Sequence, residues 1–391
     1  MSSISPWIGN MHILYLCNEY PPGRGGGIGT FTRTLARQMV RAGCTVTVLS
    51  QQRIPKETIE DDQGVTVIRM PAVYTPGVNA FVNAANLRRR IHQIHRQTPV
   101  DIIDGPELSF WGLSGKIPRV KVIRSQGGHH FFSVTLGERP KLFRGIVEKI
   151  SFKHADHYCA VSQFAAEETR RLVHLGNAPI YILPNPVDTQ FFSPRPTITE
   201  LPGRIYFAGA IREKKGIRQL VEAMPQIVAQ IPEAHLVAAG KDTIDPRTGK
   251  SYIAGLQQNM PDNIRNKISF LGPVKHENLP DLMAAAQVCV FPSHMETQGI
   301  VIIEGMAMSK MVIASRTGPG PEIIQHEVNG LLCDPFDPSS IANEVTRALR
   351  ESDLRQRLGS AARKTVEEKY AIDVMLQKNL DFYHDCLEHR A

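Results

Sequence analysis

Residues 289–315 read "CVFPSHMETQGIVIIEGMAMSKMVIAS". A β-rich apolar run enters a polar loop. Gly299 closes the loop, an apolar helical pattern follows, and a second β-rich run ends the stretch. Two apolar strands joined through a helix are the unit of a parallel sheet. Glu296 and Glu304 stand eight positions apart. On one continuous helix they would be separated by ~12 Å, at ~1.5 Å per residue. That exceeds the ~5–9.5 Å between the two carboxylates that flank a bond in glycoside hydrolysis. The pair is therefore read as holding two different parts of one long ligand. Between them lies a helix N-terminus with a glycine at its mouth, which offers unpaired N–H groups and positive partial charge. A diphosphate fits there, with a sugar near Glu296 and a ribose near Glu304.

The same alternation runs along the whole chain. Strands are predicted at 12–17, 45–50, 65–69, 101–104, 120–124, 157–161 and 180–183, with helices at 28–42, 79–97, 140–154 and 163–174. "SPRPTITELPG", 193–203, reads as a linker because it holds three prolines and little apolar content. The pattern then restarts, with strands at 204–209, 235–239, 268–271, 287–291 and 311–315 and a helical stretch over 353–389 closing the chain. The expected fold class is α/β, with two Rossmann-like doubly wound domains facing a cleft. Ligands of such domains bind beyond the C-terminal strand ends. The expected boundaries are an extension over 1–10, a first domain over 11–195, a second over 196–370, and a terminal helix, 371–391, returning to the first.

The chain has 391 residues, 42% of them hydrophobic, enough for two cores. No apolar run approaches the roughly 18 residues of a membrane span. The first ten residues lack the basic start and apolar centre of a signal peptide. Six cysteines without a C-x-x-C pair exclude a zinc framework and suit a reducing, cytoplasmic compartment. The charge of +7 is uneven: residues 1–200 hold 23 Lys/Arg against 15 Asp/Glu, residues 201–391 hold 22 against 23. A basic first half suits an anionic surface or substrate, or is simply a solvated face. Nucleic acid is not expected, since the charge is diffuse and no aromatic-basic module is present.

A second glycine-rich stretch, "EYPPGRGGGIGTFTRTLARQM", spans 19–39 between a strand and a helix, where phosphates are commonly cradled. It is not the dinucleotide fingerprint: Thr30 and Thr32 occupy the positions where the third glycine is required. No G-x-x-x-x-G-K-[ST] is present. The glycines are read as a backbone wall that a bulky ligand can approach closely.

Taken together these stretches resemble the retaining GT-B glycosyltransferases of family four, over nearly the whole chain from Met11. The 289–315 stretch resembles that family's E-x7-E motif. "ADHYCAVS", "ILPNPVDTQFFSP", "FAGAIREKKGIRQLVEAM", "GPGPEII" and "NGLLCDPFDPSSIA" resemble its other signatures, in order and spacing. The resemblance implies a nucleotide-sugar donor in the second domain and a glycan, lipid-linked or small-molecule acceptor in the first. It implies that Glu304 binds the nucleotide ribose and Glu296 the donor sugar. Thr297, Gln298, Gly299 and Ile300 would surround the sugar and leaving group, and Lys215, helped by Arg212, would contact the diphosphate. Gly26, Gly27 and Gly29 would face donor phosphates and acceptor.

Three positions depart from the pattern. Ala210 stands where an arginine is usual, Gln298 where a phenylalanine often precedes the glycine, and Gln126 where a histidine is usual. His129 and His130 follow three and four residues later, and either is a candidate replacement. No metal is expected, because neither D-x-D nor H-E-x-x-H occurs. The implied activity is hexosyl transfer with retention, in polysaccharide or glycoconjugate synthesis. Alternatives are an epimerase or phosphorylase of the same fold, or a non-catalytic nucleotide-sugar binder. The stretches 86–96 and 131–157 mix apolar and basic residues, which keeps peripheral membrane contact open beside ordinary inward packing.

Overall fold

The computed structural model describes residues 11–389 apart from 23–26, 76, 114–119, 136–138 and 140. The chain forms two compact units, one built from the chain up to Asn185 together with Met375 onward, the other from Pro186–Val374.

Among the described residues the first unit holds eight strands: β1 (His12–Leu16), β2 (Thr45–Gln52), β3 (Thr58–Asp62), β4 (Val65–Pro71), β5 (Ile102–Gly105), β6 (Val120–Ser125), β7 (His157–Ala160) and β8 (Ile180–Ile182). Their order is β3-β4-β2-β1-β5-β6-β7-β8. All neighbours run parallel except β3 and β4. β1 is buried at all five positions, as a parallel strand covered by helices on both faces must be. β3, "TIEDD", was not anticipated from the sequence. It is an exposed, charged edge strand and carries none of the apolar run that marks a central one.

The second unit holds six strands: β9 (Arg204–Ala208), β10 (His235–Ala239), β11 (Ile268–Gly272), β12 (Val288–Phe291), β13 (Met311–Ser315) and β14 (Leu331–Cys333). All are parallel, in the order β11-β10-β9-β12-β13-β14. On β9, Ile205 and Phe207 enter one core while Tyr206 and Ala208 enter the core of the opposite face, following the two-residue period of a strand. Strand order reverses between β9 and β12 here, and between β1 and β5 in the first unit. Loops at such reversals are where doubly wound sheets bind ligands.

Two boundaries differ from expectation. The first break lies at 185/186, not 195/196. The Val187 amide donates to the Tyr370 carbonyl (2.9 Å), and the Arg363 guanidinium donates to the carbonyls of Thr189 (3.0 Å) and Phe192 (2.8 Å). These bonds hold 187–192 to the second unit, so the proline-rich stretch is not the junction. The helical stretch 353–389 breaks at Tyr370 into helices Ser352–Lys369 and Ile372–Glu388. The chain re-enters the first unit at Met375, after Ala371 has bridged back to Val187. Among the described residues, no helix is long and apolar enough to cross a membrane.

Candidate functional site

Lys215 and Glu296 are 81 residues apart in sequence and form an ion pair. Each sits on a loop at the β9/β12 reversal, and two backbone contacts join those loops. Gly216 has φ +68°, and a Cβ there would lie 1.8 Å from the Pro292 carbonyl oxygen, so only glycine allows the approach. The His294 amide donates to the Lys214 carbonyl at 3.0 Å. Ser293 then donates from Oγ to Glu296 Oε1 at 3.0 Å, fixing the carboxylate. The short turn Glu213–Lys215 is braced from below. Burial pushes the Glu213 carboxyl up, but hydrogen bonds from Arg218, Tyr252 and Gln219 outweigh it and hold the group at about 2.

The same turn gathers cations. Burial, then Arg212 and Lys215, push the Lys214 ammonium down to about 8, while Glu296 acts the other way. Arg212 starts the turn in extended backbone, and its carbonyl accepts from the Lys215 amide at 3.1 Å. Gly299 is left-handed (φ +87°, ψ 61°), and a Cβ there would lie 2.8 Å from Ile302 Cδ1. The helix Ile300–Ala307 starts directly after it without a side-chain cap. Thr297 is half-buried and Gln298 buried in the approach to this helix.

Glu296 thus lies in the loop and only Glu304 on the helix, so the separation reckoned along one helix does not apply. Glu304 is 9% exposed, and burial alone pushes its carboxyl up to about 7. No hydrogen-bond donor meets it among the described residues. A buried carboxyl without a partner is costly unless a ligand supplies one.

The first unit brings a different set together. Beyond the β1/β5 reversal lies a cavity of about 610 Å³, bordered by Glu19, Glu107, Trp111, His129, Phe132 and Arg144. Glu107 accepts the Gln126 amide (2.7 Å) and the Ser125 hydroxyl (3.2 Å); burial is the main cause that pushes its carboxyl up to about 7. Glu148 accepts the amides of His129 (2.8 Å) and His130 (2.9 Å) and pairs with His130 Nδ1. Gly128 makes room for both acids: a Cβ there would lie 1.8 Å from Glu148 Oε1 and 3.0 Å from Glu107 Cγ.

The three candidates of this segment therefore separate. The His130 ring is committed to Glu148. Gln126 contributes its amide and borders a small recess with Phe31 and Arg124. His129 borders the large cavity, and its Nε2 accepts the Lys141 amide at 2.9 Å, so the neutral ring carries its proton on Nδ1. Glu107 and Glu148 were missed from sequence. Glu107 had a signal, standing two residues past the end of a strand beside the reversal. Glu148 had none, because an acid between valine and lysine on a helix looks solvated.

Of the glycines, Gly26 lies outside the described residues. Gly27 opens the helix Gly27–Arg41, and among the described residues nothing lies within 4 Å of where its Cβ would be. A Cβ on Gly29 would sit 1.9 Å from the Glu19 carbonyl oxygen, so its space is filled by the chain itself and not left for a ligand. Among the described residues, His384, Asp385 and Glu388 are the one grouping with metal-like proximity, and they lie on the terminal helix.

Comparison with known proteins agrees with this architecture. Residues 25–191 match the family described as Glycosyltransferase Family 4, and residues 188–365 match Glycosyl transferases group 1. The chain belongs to the family-four, group-1 glycosyltransferases; it is a transferase of the hexosyl type with the GT-B fold. An uncharacterized glycosyltransferase of Methanocaldococcus jannaschii is 36% identical over 47% of this chain and 45% of its own length, so that match spans about half of the relative. Sucrose-phosphate synthase from Thermosynechococcus elongatus has a similar structure, with a TM-score of 0.81, 24% identity, and coverage of 97% of this chain and 99% of that one. Anabaena HepE, in complex with UDP and glucose, has a TM-score of 0.73 at 17% identity, covering 96% of this chain and all of that one.

Proposed function

We propose that this protein transfers a hexosyl group, with retention at the anomeric carbon, from a nucleotide-diphosphate sugar to a hydroxyl acceptor in polysaccharide or glycoconjugate synthesis. The observation that carries the reading is the Lys215–Glu296 pair beside the Gly299 helix start, with unpartnered Glu304 further along the same helix. The diphosphate displaces Glu296 as the partner of Lys215. Glu296 is then free to accept from donor-sugar hydroxyls, and Glu304 accepts from the ribose. The leaving nucleotide gains negative charge as the glycosidic bond breaks. Lys215 and the first-turn amides at Ile300 stabilise that charge more in the transition state than in the ground state. Arg212 and Lys214 add positive potential where Ala210 supplies none. No divalent cation is required in this scheme. The acceptor lies in the cavity beside His129 and Glu107. The six cysteines, all free and buried, suit the cytoplasm.

The test is a screen of UDP-, GDP- and ADP-sugars for thermal stabilisation, followed by donor hydrolysis with and without EDTA and by the anomeric configuration of any product. One donor should stabilise the protein, and turnover should stay within twofold in EDTA. Loss of turnover with the chelator, restored by a cation, would overturn the cation-free scheme.

Glu304 gives a second prediction. Its folded pKa of about 7 lies above the ordinary 4.5. Between those values the folded protein holds a proton that the unfolded chain has released, so this group's contribution to stability falls as pH rises through the window. Glu304→Gln removes that penalty. The variant should be more stable than the parent by up to about 3 kcal/mol at pH 8, with no gain below pH 4.5. It should also bind the selected donor more weakly by at least tenfold. Unfolding by urea at the two pH values, with donor titration calorimetry, checks both. A variant that binds donor as the parent does removes Glu304 from the site.

A further inference from the structure

The first unit exposes a continuous apolar surface that neither its core nor its cavity uses. On the helix Leu142–His154, Leu142 is 81% exposed, Phe143 52% and Ile146 49%; on the helix Asn79–Gln97, Phe81 is 59% exposed. Ring contacts join the two helices: Phe81 meets Trp111 edge-on at 5.5 Å and Phe143 at 6.5 Å. Val78 and Val82 extend the surface on the Phe81 side. Single exposed apolar residues need no explanation, but a connected group of aromatic and aliphatic side chains does.

The two helices that carry it are basic. Between them the two helices carry a single acidic residue, Glu148, and it is buried under the His129–His130 turn. Lys141 and Arg144 are exposed beside Leu142 and Phe143, and Lys153 is exposed two turns on from Ile146. Arg88 and Arg89 are exposed two turns on from Phe81 and Val82, on the same helix face. An apolar ridge with a basic border matches the interface of an anionic bilayer, where apolar side chains enter the acyl boundary and cations meet the headgroups. It does not match a second copy of itself, because self-pairing would bring these like charges together.

We infer that this face is a peripheral docking surface for anionic membrane, with Leu142, Phe143, Ile146 and Phe81 entering the interface. Trp111 and Arg144 also border the 610 Å³ cavity, so a docked bilayer lies at its mouth. The surface goes beyond the donor chemistry and stands whether or not that reading does.

The test is flotation of the full chain with vesicles of phosphatidylcholine alone and with phosphatidylglycerol added at three parts in ten. The protein should float with the anionic vesicles at low salt, and at least fivefold less with the neutral ones or in high salt. The double variant Leu142→Glu/Phe143→Glu should lose at least tenfold of the floated fraction while its melting temperature stays within a few degrees. Leu142 is largely and Phe143 half exposed, so the fold rests little on them. Absence of flotation at low salt overturns the proposal, as does undiminished flotation of the double variant. A dimer in sedimentation that the double variant abolishes would assign the face to a second copy and equally overturn it.

Discussion

Lys215→Ala lowers kcat for the selected donor by about two to three orders of magnitude, the usual effect of deleting one preorganised stabiliser of developing negative charge. The ammonium is held directly against Glu296, and Gly216 and the Lys214–His294 bond place it at the head of the β12 loop. Lys214 and Arg212 stay in the variant and preserve part of the positive potential. Binding of the donor ground state should therefore weaken less than turnover does, a split between KM and kcat that a merely structural lysine would not produce. Both partners of the pair are partly solvated, at 20% and 18% exposure, so its loss should move stability little. Lys215→Arg should not restore the rate. A guanidinium is broader than an ammonium, and the lysine stem already lies against Gly209, where a Cβ would be 3.7 Å from Lys215 Cδ. Initial rates of donor hydrolysis measure all of this. A rate within threefold of the parent would show that the charge on the leaving group is met elsewhere.

The strand–loop–helix arrangement to which we assign the donor was legible in the sequence because its parts are local. Strand, loop, glycine and helix follow one another over 289–304, and the chemistry of a helix N-terminus needs no tertiary information. Lys215 was legible only by resemblance; its meeting with Glu296 depends on two loops 81 residues apart. The central strands were legible because parallel strands covered on both faces must be continuously apolar; the edge strands β3 and β14 were not. What escaped was charge turned inward. Asp104, Glu107, Arg124 and Glu148 are all buried, yet on paper each resembles a residue at a solvent edge. Burial of an ion is decided by its partner. The partners here come from 20 residues away for Arg124 with Asp104, and 255 away for Arg124 with Asn379. The proline-rich stretch misled for a related reason. Composition marks where a chain can be free of contacts, but Val187 and Arg363 decide where it is.

Arg124→Leu is expected to destabilise the first unit by about 3–5 kcal/mol, the cost of leaving a buried charge without its partner. Arg124 on β6 is 2% exposed and donates to Asp104 Oδ2 on β5 from Nη2 (2.9 Å) and Nε (3.2 Å). The same Nη2 reaches Asn379 Oδ1 (2.8 Å) and the Tyr383 hydroxyl (3.1 Å) on the terminal helix, and Tyr383 donates to Asp104 at 2.7 Å. The guanidinium also lies over the Phe31 ring, 5.3 Å from its centroid. One buried side chain thus joins two strands, the helix that follows the glycine loop, and a segment that has crossed from the other unit and back. At ~2–4 °C per kcal/mol for a unit of about 200 residues, the melting transition should drop by roughly 6–20 °C. Because the chain has two units, calorimetry should show that loss in one transition and leave the other in place. Proteolysis should open the terminal helix near Met375 first. Adding Asp104→Leu to Arg124→Leu should recover more than half of the loss, since removing both ions also removes the unpaired carboxylate. A single variant that melts within 2 °C of the parent, or a double variant that melts lower than the single, would mean that the terminal helix is held by its apolar face alone.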